Sequence, residues 1–344
     1  MDLLHRGDAE GQTAIRWAIL GPGAISHDFA TALHGAARGS LHAVGSSDPG
    51  RARRFADDHG AALAGDYEDI LGCREVDAVY IGTVHVTHVD LTERALRAGK
   101  AVLCEKPMSM DRAGVEAMTG LAGRLGLPLV EAYKYRFSPH FQRVRAMVSD
   151  GDIGDVVQVE ASFGFAAPTR TGRLFDPALG GGAILDVGCY PLSFAIGIAT
   201  AQGVDPDASR LTQVRSALRR GVEVRADAVV ELEGITARVS TSIVAPRTRR
   251  VRIQGTEGTI ELPDGWGSRT HSPGLIRVRR GRTCRDVRVP VVGPMAAEAD
   301  AVSAALVDRR VEAPEMPHRE SVAIAGLVDR WRQQALATPP EGAR

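Results

Sequence analysis

From residue 15 to about 132, short apolar runs alternate with stretches of helical period. Ile15–Leu20 reads as a strand and Ala24–Ala37 as a helix, followed by strand Leu41–Gly45, helix Arg51–His59 and strand Asp77–Gly82. Helix Val89–Ala98, strand Ala101–Cys104, helix Asp111–Leu125 and strand Leu127–Glu131 continue the alternation. Such a pattern predicts an α/β domain, a doubly wound parallel sheet covered by helices on both faces. After about residue 150 the period changes to two. Val156–Phe165, Leu211–Leu218, Val222–Leu232, Thr236–Val244 and Val251–Gln254 alternate apolar and polar residues between Gly or Asp breaks. These segments predict a large open, mostly antiparallel sheet with one wet face. Helical stretches at Ala183–Ala199, Met295–Arg309 and Arg319–Leu336 make this half α+β.

A chain of 344 residues exceeds the size at which one core keeps growing, so about two domains are expected. The change of texture divides it into a lead-in at 1–14, a first domain at 15–135, a second at 136–336 and a tail at 337–344. Lys+Arg and Asp+Glu balance at 42 each, so neither nucleic acid nor an anionic membrane is expected as the main partner. The clusters Arg249-Arg250-x-Arg252 and Arg279-Arg280-x-Arg282 read as solvated strand edges. Cys73, Cys104, Cys189 and Cys284 show no Cys-x-x-Cys spacing, which fits a reducing compartment rather than a disulfide framework or a zinc site. Met1–Thr13 has no apolar h-region, and no run of about 18 apolar residues stands out. A cytoplasmic protein is expected.

The candidate chemistry sits at strand ends. β-strand Ile15–Leu20 runs into Gly21-Pro22-Gly23-Ala24-Ile25-Ser26 and then a helix. Glycines at 21 and 23 allow a tight turn and close approach to a pyrophosphate, and the helix start at Ala24 and Ile25 offers amide donors. The third fingerprint position is Ser26. After the second strand stands Ser46-Ser47-Asp48-Pro49-Gly50-Arg51, with Ser46 where an NAD binder carries an acid. Two hydroxyls with Arg51 and Arg53 suit a 2′-phosphate, although Asp48 could reach a ribose; NADP is favoured over NAD. After the next strand, Thr83 and His85 are placed to line the nicotinamide-ribose side. His88 is read either with them or as a cap of the following helix, and a His-x-x-His metal site lacks a third ligand. Glu105-Lys106-Pro107 ends another strand at the same sheet edge, with a lysine placed to act there. In Gly180-Gly181-Gly182-Ala183-Ile184-Leu185-Asp186-Val187-Gly188-Cys189-Tyr190, Asp186 and Tyr190 are four apart on one helix face. With a lysine they form a proton-transfer set, because an ammonium lowers a phenol pKa that starts near 10. The plainer reading makes Asp186 a cap and Tyr190 a core residue.

These segments resemble the glucose–fructose oxidoreductase/inositol dehydrogenase (Gfo/Idh/MocA) family over roughly residues 15 to 335. The resemblance rests on Gly21-Pro-Gly23, Ala101-Val-Leu-Cys-Glu-Lys-Pro107, Glu131-Ala-Tyr-Lys-Tyr-Arg-Phe137, Gly180 to Tyr190, and Arg252 to Ile260. It implies a Rossmann domain followed by an α/β domain whose open sheet faces substrate on one side and often a partner subunit on the other, giving a homodimer or homotetramer. It implies hydride transfer between a nicotinamide cofactor and a secondary alcohol or ketone of a sugar, cyclitol or diol. Lys106 is then the catalytic lysine before a cis proline, Asp186 its acidic partner, and Tyr190 the tyrosine of the dihydrodiol and xylose dehydrogenase branch. Thr83 to His88 and Phe175-Asp176-Pro177 also sound like that branch. Glu105 and Arg136 become candidates for the cofactor side, and Lys134, Phe165, Asp186 and Tyr190, with Lys106, for the substrate side. Ser47 departs from the branch, which often has an arginine there, and Lys134 stands where an apolar or aromatic residue is usual. A redox glycosidase and a non-catalytic cofactor-binding regulator are the alternatives on the same fold.

Overall fold

The apolar runs of the first half become buried strands in the computed structural model, which describes residues 14–267, 274–290 and 293–337. Most of the lead-in and of the tail lies outside the described residues. In order come β1 (Ile15–Leu20), α1 (Ala24–Leu33), β2 (Gly39–Gly45), α2 (Pro49–His59), β3 (Leu63–Gly65), α3 (Tyr67–Gly72), β4 (Ala78–Ile81), α4 (His88–Arg97), β5 (Ala101–Glu105), α5 (Arg112–Leu125) and β6 (Leu129–Ala132). The six strands pair in parallel in the order β3-β2-β1-β4-β5-β6. The chain winds outward in both directions from β1 and β4, so the crevice between their carboxyl ends is the switch point where ligands bind in open α/β sheets.

Local signals explain the helix ends. Asp48 caps α2 by accepting from the Gly50 and Arg51 amides, Pro49 starts the helix, and Gly60 closes it in the left-handed region. Helix α1 stops at Leu33 rather than Ala37. The amides of Ala37 and Arg38 are taken by the Asp300 carboxylate at 2.8 and 3.2 Å. Strand β3 and helix α3 are additions to the sequence reading, because Ala61 to Gly65 carries no β-branched residue to mark a strand.

The second half supplies α6 (Pro139–Ser149), β7 (Val156–Gly164), α7 (Cys189–Ala201), β8 (Arg210–Arg219), β9 (Val222–Leu232), β10 (Ile235–Ser242), β11 (Val251–Gly255), β12 (Gly258–Leu262), β13 (Gly274–Arg280) and β14 (Thr283–Val289). They form an eight-stranded sheet, β14-β13-β12-β11-β7-β10-β9-β8, antiparallel except for the parallel β7–β10 pair. Helix α7 is apolar on every face and buried throughout residues 189–200, so it is the core against which the sheet packs. The segment Pro177–Ala201 has the length and hydropathy of a membrane span, yet all of that apolar stretch lies inside the protein.

The chain ends with α8 (Pro294–Val307) and α9 (His318–Ala337). Two compact units result, and the chain passes between them more than once. Among the described residues the first holds 14–109, 113–137 and 293–318, and the second holds 110–112, 138–290 and 319–337. The sequence division puts 136–336 in one domain, whereas α8 packs on α1, β5, β6 and the 3-10 turn Lys134–Phe137 of the first unit. The small-residue run Met295 to Ala305 suits that close approach.

Candidate active site

In the first unit, Gly21 has φ +90°, and a Cβ there would stand 2.5 Å from Thr83 Cγ2 and 3.1 Å from Thr83 Cα. Only glycine lets the turn after β1 lie this close to the loop after β4. The Ser26 hydroxyl donates to Gly21 O at 2.6 Å, locking the turn from the helix side. A Cβ at Gly82 would meet Ser26 Oγ at 2.4 Å, so the close helix–strand approach here is given by Gly82. No side chain caps α1 at Gly23, and no acid lies in its first turn. The amide end at Ala24 and Ile25 is therefore left for an anion, and this cradle fits a dinucleotide pyrophosphate.

Beside it, Arg51 donates from Nη2 to Pro22 O at 3.2 Å, which brings the guanidinium to the glycine turn. Ser46 is buried and accepts from the Asp48 amide, while Ser47 is exposed. One oxygen of the Asp48 carboxylate caps α2, accepting from the Gly50 amide at 2.8 Å and the Arg51 amide at 3.1 Å.

Thr83 accepts from the Thr87 hydroxyl at 2.8 Å, and His85 is buried with its ring 5.7 Å from that of His88. His88 is not a cap: Thr87 holds that position, and the fully buried His88 imidazole lies between Pro107 O (Nδ1, 2.9 Å) and Thr83 O (Nε2, 3.2 Å). It braces the loops after β4 and β5, its ring lying between one carbonyl of each. A different trio, His42, Cys73 and Glu75, gathers within 4.8 Å. It already carries its own cations, with Arg16 at 3.9 Å from Glu75 and the Lys100 ammonium donating to Cys73 O at 2.6 Å.

At the end of β5 the Lys106–Pro107 bond is cis. Glu105 accepts from the Tyr80 hydroxyl at 2.8 Å and from the Lys106 amide at 3.2 Å. Burial pushes the Glu105 carboxyl up, while the charge of Lys106 and the Tyr80 hydrogen bond pull it back. Burial, then the charge of Glu105, holds the Tyr80 phenol well above its ordinary value. Behind the strand, Glu131 accepts from the Met108 amide at 2.9 Å, fixing the segment after the lysine. Lys134 is half-buried and Arg136 fully buried in the turn after β6.

In the second unit the glycine run is shaped by contacts that exclude side chains. Gly182 has φ +117°, and a Cβ there would meet Glu223 Oε1 at 2.3 Å. That same oxygen accepts from the Ile184 amide at 3.2 Å. The chain then makes a π-helical turn, Ile184–Gly188, before entering α7. π turns are rare and concentrate at functional sites. Asp186 lies in it, nearly buried, accepting from Arg173 Nη2 at 2.9 Å. Tyr190 is also nearly buried, edge-on to Phe163 at 5.2 Å and to Trp266 at 6.0 Å. Phe165 packs half-buried beside Phe175, Val187 and Ile243. Arg173 and Glu223 are absent from the residues that the sequence singles out. Both act on the 180–190 segment from elsewhere in the chain, and no local pattern marks them.

A family model described as "Oxidoreductase family, NAD-binding Rossmann fold" matches residues 15–133, and one for the "GFO/IDH/MocA C-terminal domain" matches residues 141–261. The chain belongs to the GFO/IDH/MocA family. It is an oxidoreductase with an NAD(P)-binding Rossmann domain. Among members of this family it is 30% identical over 334 residues (95% of this chain, 100% of the relative) to a trans-1,2-dihydrobenzene-1,2-diol dehydrogenase of Xenopus tropicalis. It is 32% identical over 298 residues (85% and 89%) to a D-xylose 1-dehydrogenase (NADP(+)) of Haloferax volcanii. A mutant 3-ketoreductase from Actinomadura kijaniata, solved with TDP-benzene and NADP, matches with a TM-score of 0.83 at 26% identity, covering 93% of this chain and 97% of that one. An aldose-aldose oxidoreductase from Caulobacter crescentus matches with a TM-score of 0.83 at 25% identity, covering 94% and 97%.

Proposed function

We propose that the protein transfers a hydride between NADP and a secondary alcohol or ketone of a sugar, cyclitol or diol. The observation that carries this is the sheet edge of the first unit. There the glycine cradle at Gly21 and Gly23, the uncapped start of α1 and the docked Arg51 lie on the sheet that ends in Lys106. Asp48 is turned to its own helix as a cap, and at the end of β2 two hydroxyls and a guanidinium offer partners for a 2′-phosphate. Ser46, Ser47 and Arg51 then take that phosphate, and the Ala24 and Ile25 amides hold the pyrophosphate. Thr83 and His85 line the nicotinamide side, with His88 holding their loop. The bound nicotinamide supplies the hydride acceptor or donor. Relatives named for NADP and for diol or sugar substrates support the same reading.

The remaining steps belong to side chains. Tyr190 moves the proton of the substrate hydroxyl, and an ammonium such as that of Lys106 favours the phenolate and so eases the transfer. Asp186, paired with Arg173 at 2.9 Å, is the carboxylate of the set. Lys134 and Phe165 serve the substrate region, Arg136 the cofactor side, and Glu105 keeps the base of Lys106 fixed. A homodimer or homotetramer through the wet face of the eight-stranded sheet completes the proposal.

Cofactor reduction with NADP and with NAD, screened over sugars, cyclitols and diols, tests the class and the cofactor together. Lys106→Ala and Tyr190→Phe are each expected to lose about 10²- to 10⁴-fold in turnover, the usual worth of positioned acid–base groups, while still binding cofactor. Near-normal rates in both variants would sink the assignment.

A further inference from the structure

Glu298 sits in the second turn of α8, fully buried, and neither of its carboxylate oxygens has a hydrogen-bond donor among the described residues. The groups that act on it are Glu105 from β5 and Lys134 from the turn after β6, and it lies within electrostatic reach of Tyr80 of β4. Other polar groups around α8 are engaged elsewhere. Asp300 holds the Ala37 and Arg38 amides, Glu131 of β6 takes the Met108 amide, His27 of α1 faces Phe55 and His59, and His42 of β2 pairs with Glu75. Asp28 of α1 is exposed, Arg136 lies buried in the turn with Lys134, and Cys104 of β5 has its thiol turned toward Glu105 O at 3.6 Å.

Two carboxylates therefore share one apolar interior. Glu105 has donors for its charge, the Tyr80 hydroxyl and the Lys106 amide, and two ammonium groups, those of Lys106 and Lys134, act on it. Glu298 has no donor and stands near a like charge. When two acids compete in this way, the one with hydrogen bonds keeps the charge and the other keeps the proton. We infer that Glu298 is carried as a neutral carboxylic acid and shares a single negative charge with Glu105. It is a positioning residue that leaves the Lys106 end of β5 with a net positive charge. With Glu298 ionised, the two lysines and two glutamates of this cluster would cancel. With it neutral, one positive charge is left over, which favours an anionic group bound at the Lys106 end of β5. The protonation itself does not depend on the oxidoreductase reading, so it can fail or stand separately.

Linkage supplies the test. In the unfolded chain Glu298 ionises near the ordinary value of about 4.3. In the folded protein it stays protonated to higher pH, because burial and then Glu105 raise it. Folding therefore takes up a proton above about pH 4.3, and stability falls as pH rises from there towards the folded value. Glu298→Gln removes that loss. Its denaturation midpoint is expected to gain on the wild type steadily as pH rises above about 4.3. The infrared spectrum at neutral pH is expected to show a protonated-carboxyl carbonyl band that the variant lacks. A stability difference independent of pH, or no such band lost, overturns the inference. Glu298→Met, apolar and of similar shape, provides the control on folding. A neutral acid without hydrogen bonds can be replaced by it, so failure of both variants to fold at any pH also overturns the inference.

Discussion

At Arg51 the guanidinium rests on Pro22 O, over the turn where the cofactor's phosphates are proposed to lie. A charge-assisted contact of this kind is worth about 1.5–3 kcal/mol. Arg51→Ala is expected to raise the KM for NADP by roughly ten-fold or more and to leave that for NAD almost unchanged. Equal rises for both cofactors would show that Arg51 supports the turn rather than reading the phosphate. Gly21 gives a different kind of prediction. Its φ of +90° and the contact with Thr83 mean that Gly21→Ala strains the backbone and pushes the β4 loop away. The cost is about 1–3 kcal/mol of stability, and cofactor affinity should fall with it, as thermal unfolding and fluorescence titration would show. Lys106, Gly21 and Tyr190 stand out in the sequence as candidates because each sits in a local pattern: a strand end, a glycine turn, a helix start. Glu298, Arg173 and Glu223 are not, because each is singled out by a neighbour distant in sequence.

The π turn at Ile184–Gly188 shows the same limit at the level of elements. The periodicity of residues 183–199 reads as one helix, and the structure inserts a wider turn at its start, where Glu223 of β9 reaches the Ile184 amide past a glycine. A helical period cannot report that insertion. Likewise α6 is hard to see in the sequence, although Ser138 caps it and Pro139 opens it, because the change of domain falls there. Strands β13 and β14 are hidden because their arginines mask the alternation. Strands β1, β4 and β5 are legible because burial on both faces makes them apolar apart from Arg16 and Glu105. If Glu223 sets the π turn, Glu223→Leu removes the acceptor of a buried amide and costs about 1–3 kcal/mol. It should also lower turnover, since Asp186 lies in the turn, whereas Glu223→Gln keeps an acceptor and should restore most of both. Urea unfolding and kcat measured on the pair decide this, and a loss of stability without any change in kcat would separate the turn from the chemistry.

For the assembled molecule, the outer face of the eight-stranded sheet is the surface to be explained. A concavity on it is lined by Glu160, Ser162, Arg215, Asp227, Arg238 and Arg250. The register places Glu160 opposite both Arg238 and Arg252, so opposite charges alternate across three strands. Such a face can pair with itself, because a two-fold axis brings each patch against its own copy. If a second copy covers it, the protein sediments at a mass of at least two chains of 36.6 kDa. Arg238→Glu sets two acids opposite each other and turns the complementarity into repulsion. Within one chain that costs only about 0.2–1 kcal/mol, so the fold should survive while association weakens. Arg288→Glu, an equal charge change on exposed β14, should leave association as it was. Sedimentation of the wild type at the single-chain mass would remove the interface, and equal dissociation in both variants would assign the effect to net charge instead of to this face.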